Sequence, residues 1–244
     1  MPFYEREDKI LSMLAQKNEY SVTELAEKLY ISVPTMRRDL IKLEKKGKVI
    51  RTHGGVTIIK KSADTKIPFL LREKEQDGAK AAIAEIAADC ISDGDTIMLD
   101  GTTSAYHIIS HLTNFKNLIV ITSGAKASFA LGQLGINNIS TGGRMLNMGF
   151  SYVGDDACRC IERYNADILF FSCRGLSEDG WLSDNSIEEN IVRRAMMHRA
   201  KKKILLCDSS KIGKTCLNNL CHISEIDEII CETELPNNIK YLLK

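Results

Sequence analysis

Apolar side chains recur every three or four positions in three stretches near the start of the chain, which is the period of a helix with one buried face. The first stretch covers about 4–15. The second begins at Ser21, and Glu24 three residues later predicts a capping box, in which each side chain satisfies the other residue's free backbone N–H. The third begins at a Ser32 cap and accepts Pro34, because N–H groups in a first turn have no helical partner.

The third predicted helix has two distinct faces. Its apolar positions form the predicted buried stripe of Val33, Met36, Leu40 and Leu43. Two adjacent arginines, Arg37 and Arg38, therefore point largely away from that stripe. Helix-turn-helix proteins place the N-terminal part of their second helix against base edges, where an arginine can hold guanine through two hydrogen bonds. On the alternative interpretation, these arginines only pair with Asp39 or Glu44 on an exposed helix.

Two short β-type runs, 49–52 and 56–59, flank His53-Gly54-Gly55 and predict a hairpin, or wing, after the third helix. Arg51 and His53 are placed to contact phosphates, although His53 is equally consistent with a residue that only fills the turn. The predicted DNA-contacting residues are Ser32, Pro34, Thr35, Arg37, Arg38, Lys42, Arg51 and His53.

Basic charge is concentrated in this region. The whole chain has a net charge of +1, whereas 32–61 contain nine lysines and arginines against two acidic residues. Such a block is typical of a nucleic-acid-binding surface, so 1–60 are predicted to form a winged helix-turn-helix domain that binds a double-stranded DNA operator. The charged N-terminus, together with the lack of a long apolar run, predicts a cytoplasmic protein that does not enter a membrane.

After a charged stretch at 61–78, predicted to be a linker, strand-like and helical patterns alternate. The β-type runs lie at 96–99, 118–122, 138–141, 168–173, 204–207 and 228–231. The helical segments lie at 79–91, 105–112, 125–134, 155–164 and 186–199. This alternation predicts a mostly parallel sheet covered by helices on both faces. The predicted fold class is therefore α/β, with the small winged helix-turn-helix domain followed by a Rossmann-like effector-binding and oligomerisation domain at 79–244.

Polar and glycine-rich residues follow several of these runs, at the strand ends where parallel sheets bind ligands. The segment at 100–104 opens a helix, and its free N–H groups and hydroxyls suit a phosphate, whereas Asp100 is predicted to accept sugar hydroxyls. Glu188 or Glu189 could close the pocket, but an exposed helix carboxylate is the simpler interpretation. The predicted effector-binding residues are Asp100, Gly101, Thr102, Thr103, Ser104, Ser123, Gly142, Gly143, Arg174 and Lys211.

The eight cysteines all lie after residue 89, and several stand within apolar runs, as buried hydrophobic side chains do. A zinc site of Cys158 and Cys160 with Cys221 and His222 is the alternative, but the chain has no CxxC pair. No metal, cofactor or catalytic residue is predicted.

At these motifs the chain resembles the DeoR family of transcriptional regulators. The segments 32–40 and 51–55 match the N-terminal signature of that family, and 100–104, 142–143 and 208–211 match its effector domain. The resemblance implies that the second domain is similar to ribose-5-phosphate isomerase and binds a phosphorylated sugar or metabolite that changes operator affinity. The chain departs from the family at Thr102, where many members carry Gly or Ser, and at 172–174, where many carry a Gly-containing loop.

The predicted function is a sequence-specific DNA-binding regulator, a repressor of carbohydrate genes controlled by a phosphorylated sugar. One winged helix buries too little surface for tight binding, so a homodimer or homotetramer is expected. The alternative is a sugar-phosphate isomerase with an appended DNA-binding module, in which Asp100 and Lys211 would act on the substrate. The chain lacks the Asp-Gly-Ala-Asp and Lys-Gly-Gly segments of such isomerases. A scaffold that binds no ligand is a third interpretation.

Overall fold

The computed structural model describes residues 3–16, 19–45, 48–52, 55–58, 69–146 and 149–243. The chain divides into two compact units, Met1–Ile67 and Pro68–Lys244. His53 and residues 61–68 of the predicted linker lie outside the described residues. Within the described ranges, no helix is long and apolar enough to cross a membrane.

The first unit is a winged helix-turn-helix. Its elements are α1 (Phe3–Gln16), β1 (Glu19–Tyr20), α2 (Val22–Lys28), α3 (Val33–Lys45), β2 (Val49–Arg51) and β3 (Val56–Ile58). The capping box is confirmed, since Glu24 N donates to Ser21 Oγ and Ser21 N to Glu24 Oε2, at 3.0 and 2.7 Å. The strands form an antiparallel sheet in the order β1-β3-β2, of which β1 was not predicted because it has only two residues.

The second unit is built on a six-stranded parallel sheet, which confirms the predicted α/β class. Its strands, in the order β14-β12-β9-β4-β5-β6, are β14 (Glu228–Ile230), β12 (Ala200–Leu206), β9 (Ala166–Phe171), β4 (Thr96–Leu99), β5 (Ile119–Thr122) and β6 (Asn138–Ser140). The helices of this unit are α4 (Phe69–Lys74), α5 (Asp77–Ala88), α6 (Thr103–Ile108), α7 (Ala125–Gln133), α8 (Asp155–Glu162), α9 (Ile187–Arg199) and α10 (Asn237–Leu242).

Successive side chains of each central strand enter different cores, because side chains alternate across a sheet. Phe171 packs in a cluster with apolar residues of α8 and α9. Phe170 packs in a second cluster with those of α5, α6 and α7. The sheet is therefore covered on both faces, and every parallel strand ends at the same edge.

Three features differ from the sequence prediction. Helix α4 occupies part of the predicted linker, where Phe69 is buried against Tyr106 and Phe150, with ring centroids 5.7 and 6.0 Å apart. The predicted helix at 105–112 continues beyond Ile108 as a 3-10 helix, Ile109–Asn114. Two small antiparallel sheets were missed because their strands are short. They are β7 (Arg144–Met145) with β8 (Tyr152–Val153), and β10 (Gly175–Leu176) with β11 (Trp181–Asp184) and β13 (Asn218–His222).

Candidate functional site

The outer face of α3 is basic and exposed. Met36, Leu40 and Leu43 are fully buried, whereas Arg37 and Arg38 are exposed. The other residues predicted to contact DNA from this helix, Ser32, Pro34, Thr35 and Lys42, are exposed or half-buried. The helix therefore presents a polar, positively charged surface that a DNA groove can accept.

The alternative pairing of these arginines with Asp39 or Glu44 is not what the structure contains. Asp39 is buried and accepts two hydrogen bonds from Arg6 in α1, at 2.5 and 3.0 Å. This contact raises the pKa of Arg6 through the hydrogen bond. Glu44 lies 3.8 Å from Arg51. Among the described residues, no carboxylate lies within salt-bridge distance of Arg37 or Arg38.

Of the two wing residues predicted to contact phosphates, Arg51 lies within the described part of the chain. Arg51 ends β2, and its side chain is exposed apart from the long ion pair with Glu44. Thr52 closes the base of the turn, since its N–H donates to Gly55 O at 2.9 Å and its hydroxyl accepts from Gly55 N at 3.0 Å.

In the second unit, Lys211 contacts residues that follow three neighbouring strands at the carboxyl edge of the sheet. Its ammonium donates to Ser172 Oγ at 2.8 Å and to Ser104 Oγ at 3.2 Å. It also pairs with Asp208 Oδ2 at 3.0 Å. Since these partners follow β9, β4 and β12, a single cation links three neighbouring loops.

Asp100 is also central, but it is occupied by protein donors. One of its oxygens accepts from Thr102 N at 3.0 Å and Thr102 Oγ1 at 2.5 Å. The other accepts from Ser172 N at 3.2 Å and Arg193 Nε at 2.9 Å. Because a carboxylate offers about four acceptor positions, the protein itself satisfies Asp100.

Arg193 of α9 lies between two buried carboxylates. Besides Asp100, it donates to Asp184 Oδ2 and Asn190 Oδ1, both at 2.9 Å. Burial opposes the charge of Arg193, but Asp184 and Asp100, with a further contribution from Glu189, more than offset this and raise its pKa. Burial likewise opposes the charge of Asp184, yet Arg193 and Arg174 together lower its pKa.

The remaining predicted residues lie around this network. Arg174 is partly exposed, 3.6 Å from Asp184. Thr103 and Ser123 are buried. Gly142 and Gly143 both have positive φ, and a Cβ at 143 would lie 2.8 Å from Val153 O, so the loop requires glycine there. None of the predicted effector residues of this unit lies outside the described part of the chain.

A small cavity lies beside Asp100. Its lining consists of Asp100, Gly101, Ser123, Ser151, Tyr152, Glu189, Val192 and Arg193, and it has room for about one water molecule. Ser151 Oγ donates to Glu189 Oε1 at 2.8 Å across this space. A Cβ at Gly101 would overlap Ser151 Oγ, so glycine permits this close approach. Glu188, in contrast, pairs with Arg144.

Comparison with known proteins now decides the family. The chain matches the DeoR-like helix-turn-helix domain over residues 6–62 and the DeoR C terminal sensor domain over residues 75–233. The chain belongs to the DeoR family.

Relatives of this DeoR-family chain match it over nearly its whole length. It is 33% identical to the HTH-type transcriptional regulator YulB of Bacillus subtilis, covering 98% of this chain and 92% of that protein. It is 30% identical to the L-fucose operon activator of Haemophilus influenzae, covering 96% of this chain and 94% of that protein. The chain is thus a DNA-binding transcriptional regulator.

Solved structures resemble this DeoR-family chain in fold alone. The eIF2B delta structure of Chaetomium thermophilum is 20% identical with a TM-score of 0.51, covering 68% of this chain and 60% of that one. Ribose 5-phosphate isomerase A of Methanocaldococcus jannaschii is 18% identical with a TM-score of 0.44, and the match covers 57% of this chain and 55% of that one.

Four residues of the cavity lining were not among the predicted or candidate effector-binding residues of this DeoR-family chain: Ser151, Tyr152, Val192 and Arg193. Glu189 was named as one of two carboxylates that could close the pocket, with an exposed helix carboxylate as the simpler interpretation; it is half-buried in the cavity lining. Arg193 contacts a residue 93 positions away, so no local pattern marks it. The alternative zinc site receives no support either, since no metal-binding group of three or more His, Cys, Asp or Glu is found among the described residues.

Proposed function

We propose that this chain represses carbohydrate genes by binding an operator as a homodimer or homotetramer, and that a phosphorylated sugar bound at the carboxyl edge of the sheet changes its operator affinity. The sensor domain would act by binding alone, without turnover.

The operator half of the proposal is supported by the exposed cations on α3. Arg37 and Arg38 have no acidic partner among the described residues, so their donors are available to base edges and phosphates. A bidentate arginine–guanine contact contributes about 1–3 kcal/mol of discrimination. Since one winged helix gives limited contact, two or more copies reading repeated half-sites supply the remaining specificity.

The observation that carries the ligand half is the convergence of three loops on Lys211. Its ammonium and the nearby Arg174 guanidinium are both partly exposed at the strand ends. Hydroxyls of Ser104 and Ser172 lie within hydrogen-bond distance of the ammonium. A phosphate is bound by such cations together with hydroxyl donors, and Ser104 is the candidate donor here because the hydroxyl of Ser172 already donates to Leu206 O. The relative named for the L-fucose operon supports a link to carbohydrate genes.

The isomerase alternative is not adopted, because its candidate base is unsuited to proton transfer. Asp100 is 1% exposed and holds four protein donors, including Arg193. A general base must instead reach the proton of a bound substrate.

The proposal is tested by thermal shift and calorimetry with sugar phosphates and their unphosphorylated forms. One phosphate should stabilise the wild-type protein by several degrees, and Lys211→Met should abolish that shift while operator binding persists. Lys214→Met is the control, because Lys214 is an exposed lysine of the same loop. An unchanged ligand response in Lys211→Met would exclude Lys211 from the site. Turnover of any compound would overturn the binding-only mechanism.

A further inference from the structure

We propose that Glu189 is the carboxylate that recognises a hydroxyl group of the effector, and that Ser151 occupies the place of that hydroxyl in this structure. This inference rests on the proposed function and identifies which part of the site reads the sugar rather than the phosphate.

The first step is that the other carboxylates near the cavity are already engaged. Asp100 accepts four hydrogen bonds from the protein. Asp184 accepts from Arg193 and from Asn185 N, at 2.9 and 2.7 Å. Asp208 pairs with Lys211. All three are at most 3% exposed, so none of them offers a ready acceptor to a ligand.

The second step concerns the partner of Glu189. This side chain lines the cavity and is half-buried. Within the described part of the chain, its carboxylate accepts a hydrogen bond from a neutral hydroxyl, Ser151 Oγ. The positive charges of Arg193 and Arg72 also act on this carboxylate. A hydroxyl donating to a carboxylate is the contact that a polyol makes with a protein.

The third step is the size of the cavity. It has room for about one water molecule while Ser151 donates to Glu189, which is too little for a sugar. A ligand must therefore replace the Ser151 contact. The segment carrying Ser151 is held by main-chain hydrogen bonds that include Tyr152 N to Ser123 O at 2.7 Å, Ala125 N to Phe150 O at 2.8 Å and Leu146 N to Ser151 O at 2.8 Å. The exchange of one hydroxyl for another leaves Glu189 paired throughout.

The chemistry of this exchange specifies the ligand class. A half-buried carboxylate such as Glu189 accepts from hydroxyl donors and repels a second carboxylate. The effector is accordingly a phosphorylated sugar or polyol with a free hydroxyl at this position, and not a phosphorylated sugar acid.

The test compares Glu189→Gln with wild type by calorimetry, using ribose 5-phosphate, fructose 6-phosphate, mannitol 1-phosphate and inorganic phosphate as probes. Glu188→Gln is the matched control, because that neighbouring carboxylate pairs with Arg144 instead of lining the cavity. We expect Glu189→Gln to weaken the tightest sugar phosphate about 10- to 100-fold, the range expected for a hydrogen bond to a charged group. The affinity of Glu189→Gln for inorganic phosphate should equal that of wild type. The control variant Glu188→Gln should bind every probe as wild type does.

Deoxy analogues of the tightest probe separate recognition from a merely structural role. The analogue that lacks the hydroxyl recognised by Glu189 should bind wild type weakly. Its affinity should be the same for Glu189→Gln, because the contact is already absent. If every analogue loses affinity in the variant by the same factor as the parent compound, the inference is wrong.

Ser151→Ala is the second variant, and it keeps the test decisive if Glu189→Gln does not fold. Removing the competing hydroxyl should strengthen binding several-fold, whereas weaker binding would overturn the inference. If wild type itself binds no phosphorylated probe, the proposed function fails first. If wild type binds and Glu189→Gln binds equally well, only the present inference fails.

Discussion

Replacing Arg193 with methionine should strongly destabilise the second unit, which contains the sensor domain and is called the sensor unit below. The guanidinium makes two charged hydrogen bonds, to Asp100 and Asp184, each 2.9 Å long. All three residues are at most 3% exposed, so the substitution leaves Asp100 buried without Arg193 and Asp184 with only Arg174, 3.6 Å away. Breaking a buried ion pair in this way costs about 3–5 kcal/mol. For a unit of this size, that loss lowers Tm by about 6–20 °C.

Urea unfolding can be followed by the fluorescence of Trp181, the single tryptophan, which lies in β11 of the sensor unit. Arg194→Met is the control, because Arg194 is half-exposed and lies 3.6 Å from Glu225, a pair expected to contribute about 0.2–1 kcal/mol. A loss below about 1 kcal/mol in Arg193→Met, or one equal to that of Arg194→Met, would refute the reasoning.

The pH dependence of this difference has a defined sign. In wild type the pKa of Asp184 is lowered, so its contribution to stability is present above the unfolded pKa of about 3.9 and is lost as pH falls through the folded value. Without Arg193, burial opposes the charge of Asp184 with only Arg174, 3.6 Å away, to offset it, so the pKa of Asp184 rises. The variant should therefore regain stability relative to wild type as pH falls toward about 5, whereas a constant difference would contradict this account.

Three further predictions follow from particular contacts. Arg38→Ala should weaken binding to an operator selected from a random DNA pool about 5- to 150-fold at fixed salt, with Lys9→Ala as the control; unchanged discrimination against random DNA would exclude Arg38 as a base reader. Burial, with the charge of Lys211, lowers the pKa of Lys80 to about 8, below its unfolded value. Because the unfolded state then binds more protons between pH 8 and pH 10, the Tm of wild type should rise relative to that of Lys80→Met over this range. A Tm difference that does not change with pH would disprove this titration. Phe69→Leu should cost about 1–3 kcal/mol in urea unfolding through its two lost ring pairs, and an unaffected midpoint would argue against α4 as part of the sensor core.

Local patterns were enough to predict the scaffold. The capping box at Ser21 and the buried stripe of Met36, Leu40 and Leu43 depend on residues within two helical turns, so sequence spacing reveals them. Strand β4 and the polar loop after it were predicted for the same reason, because an apolar run followed by Asp100–Ser104 is a local signal.

The pairing inside the sensor site could not be predicted. Asp100 was expected to meet sugar hydroxyls, but its partner Arg193 is supplied by α9, and only the folded sheet brings α9 beside β4. Glu189 has the local pattern of any helix carboxylate. Its position in the cavity depends on Ser151, which is held near Gly101 by a segment whose strands have only two residues each.

The central claim is that a phosphorylated sugar in the second unit controls DNA binding by the first. The most direct measurement is the dissociation constant of the full-length protein for its selected operator, with and without each sugar phosphate and its unphosphorylated form, at constant salt. The account predicts that one phosphate changes this constant about 5- to 150-fold, that its unphosphorylated form does not, and that Lys211→Met removes the effect. An operator affinity that no phosphorylated sugar changes, measured with a compound that calorimetry shows to be bound, would contradict it.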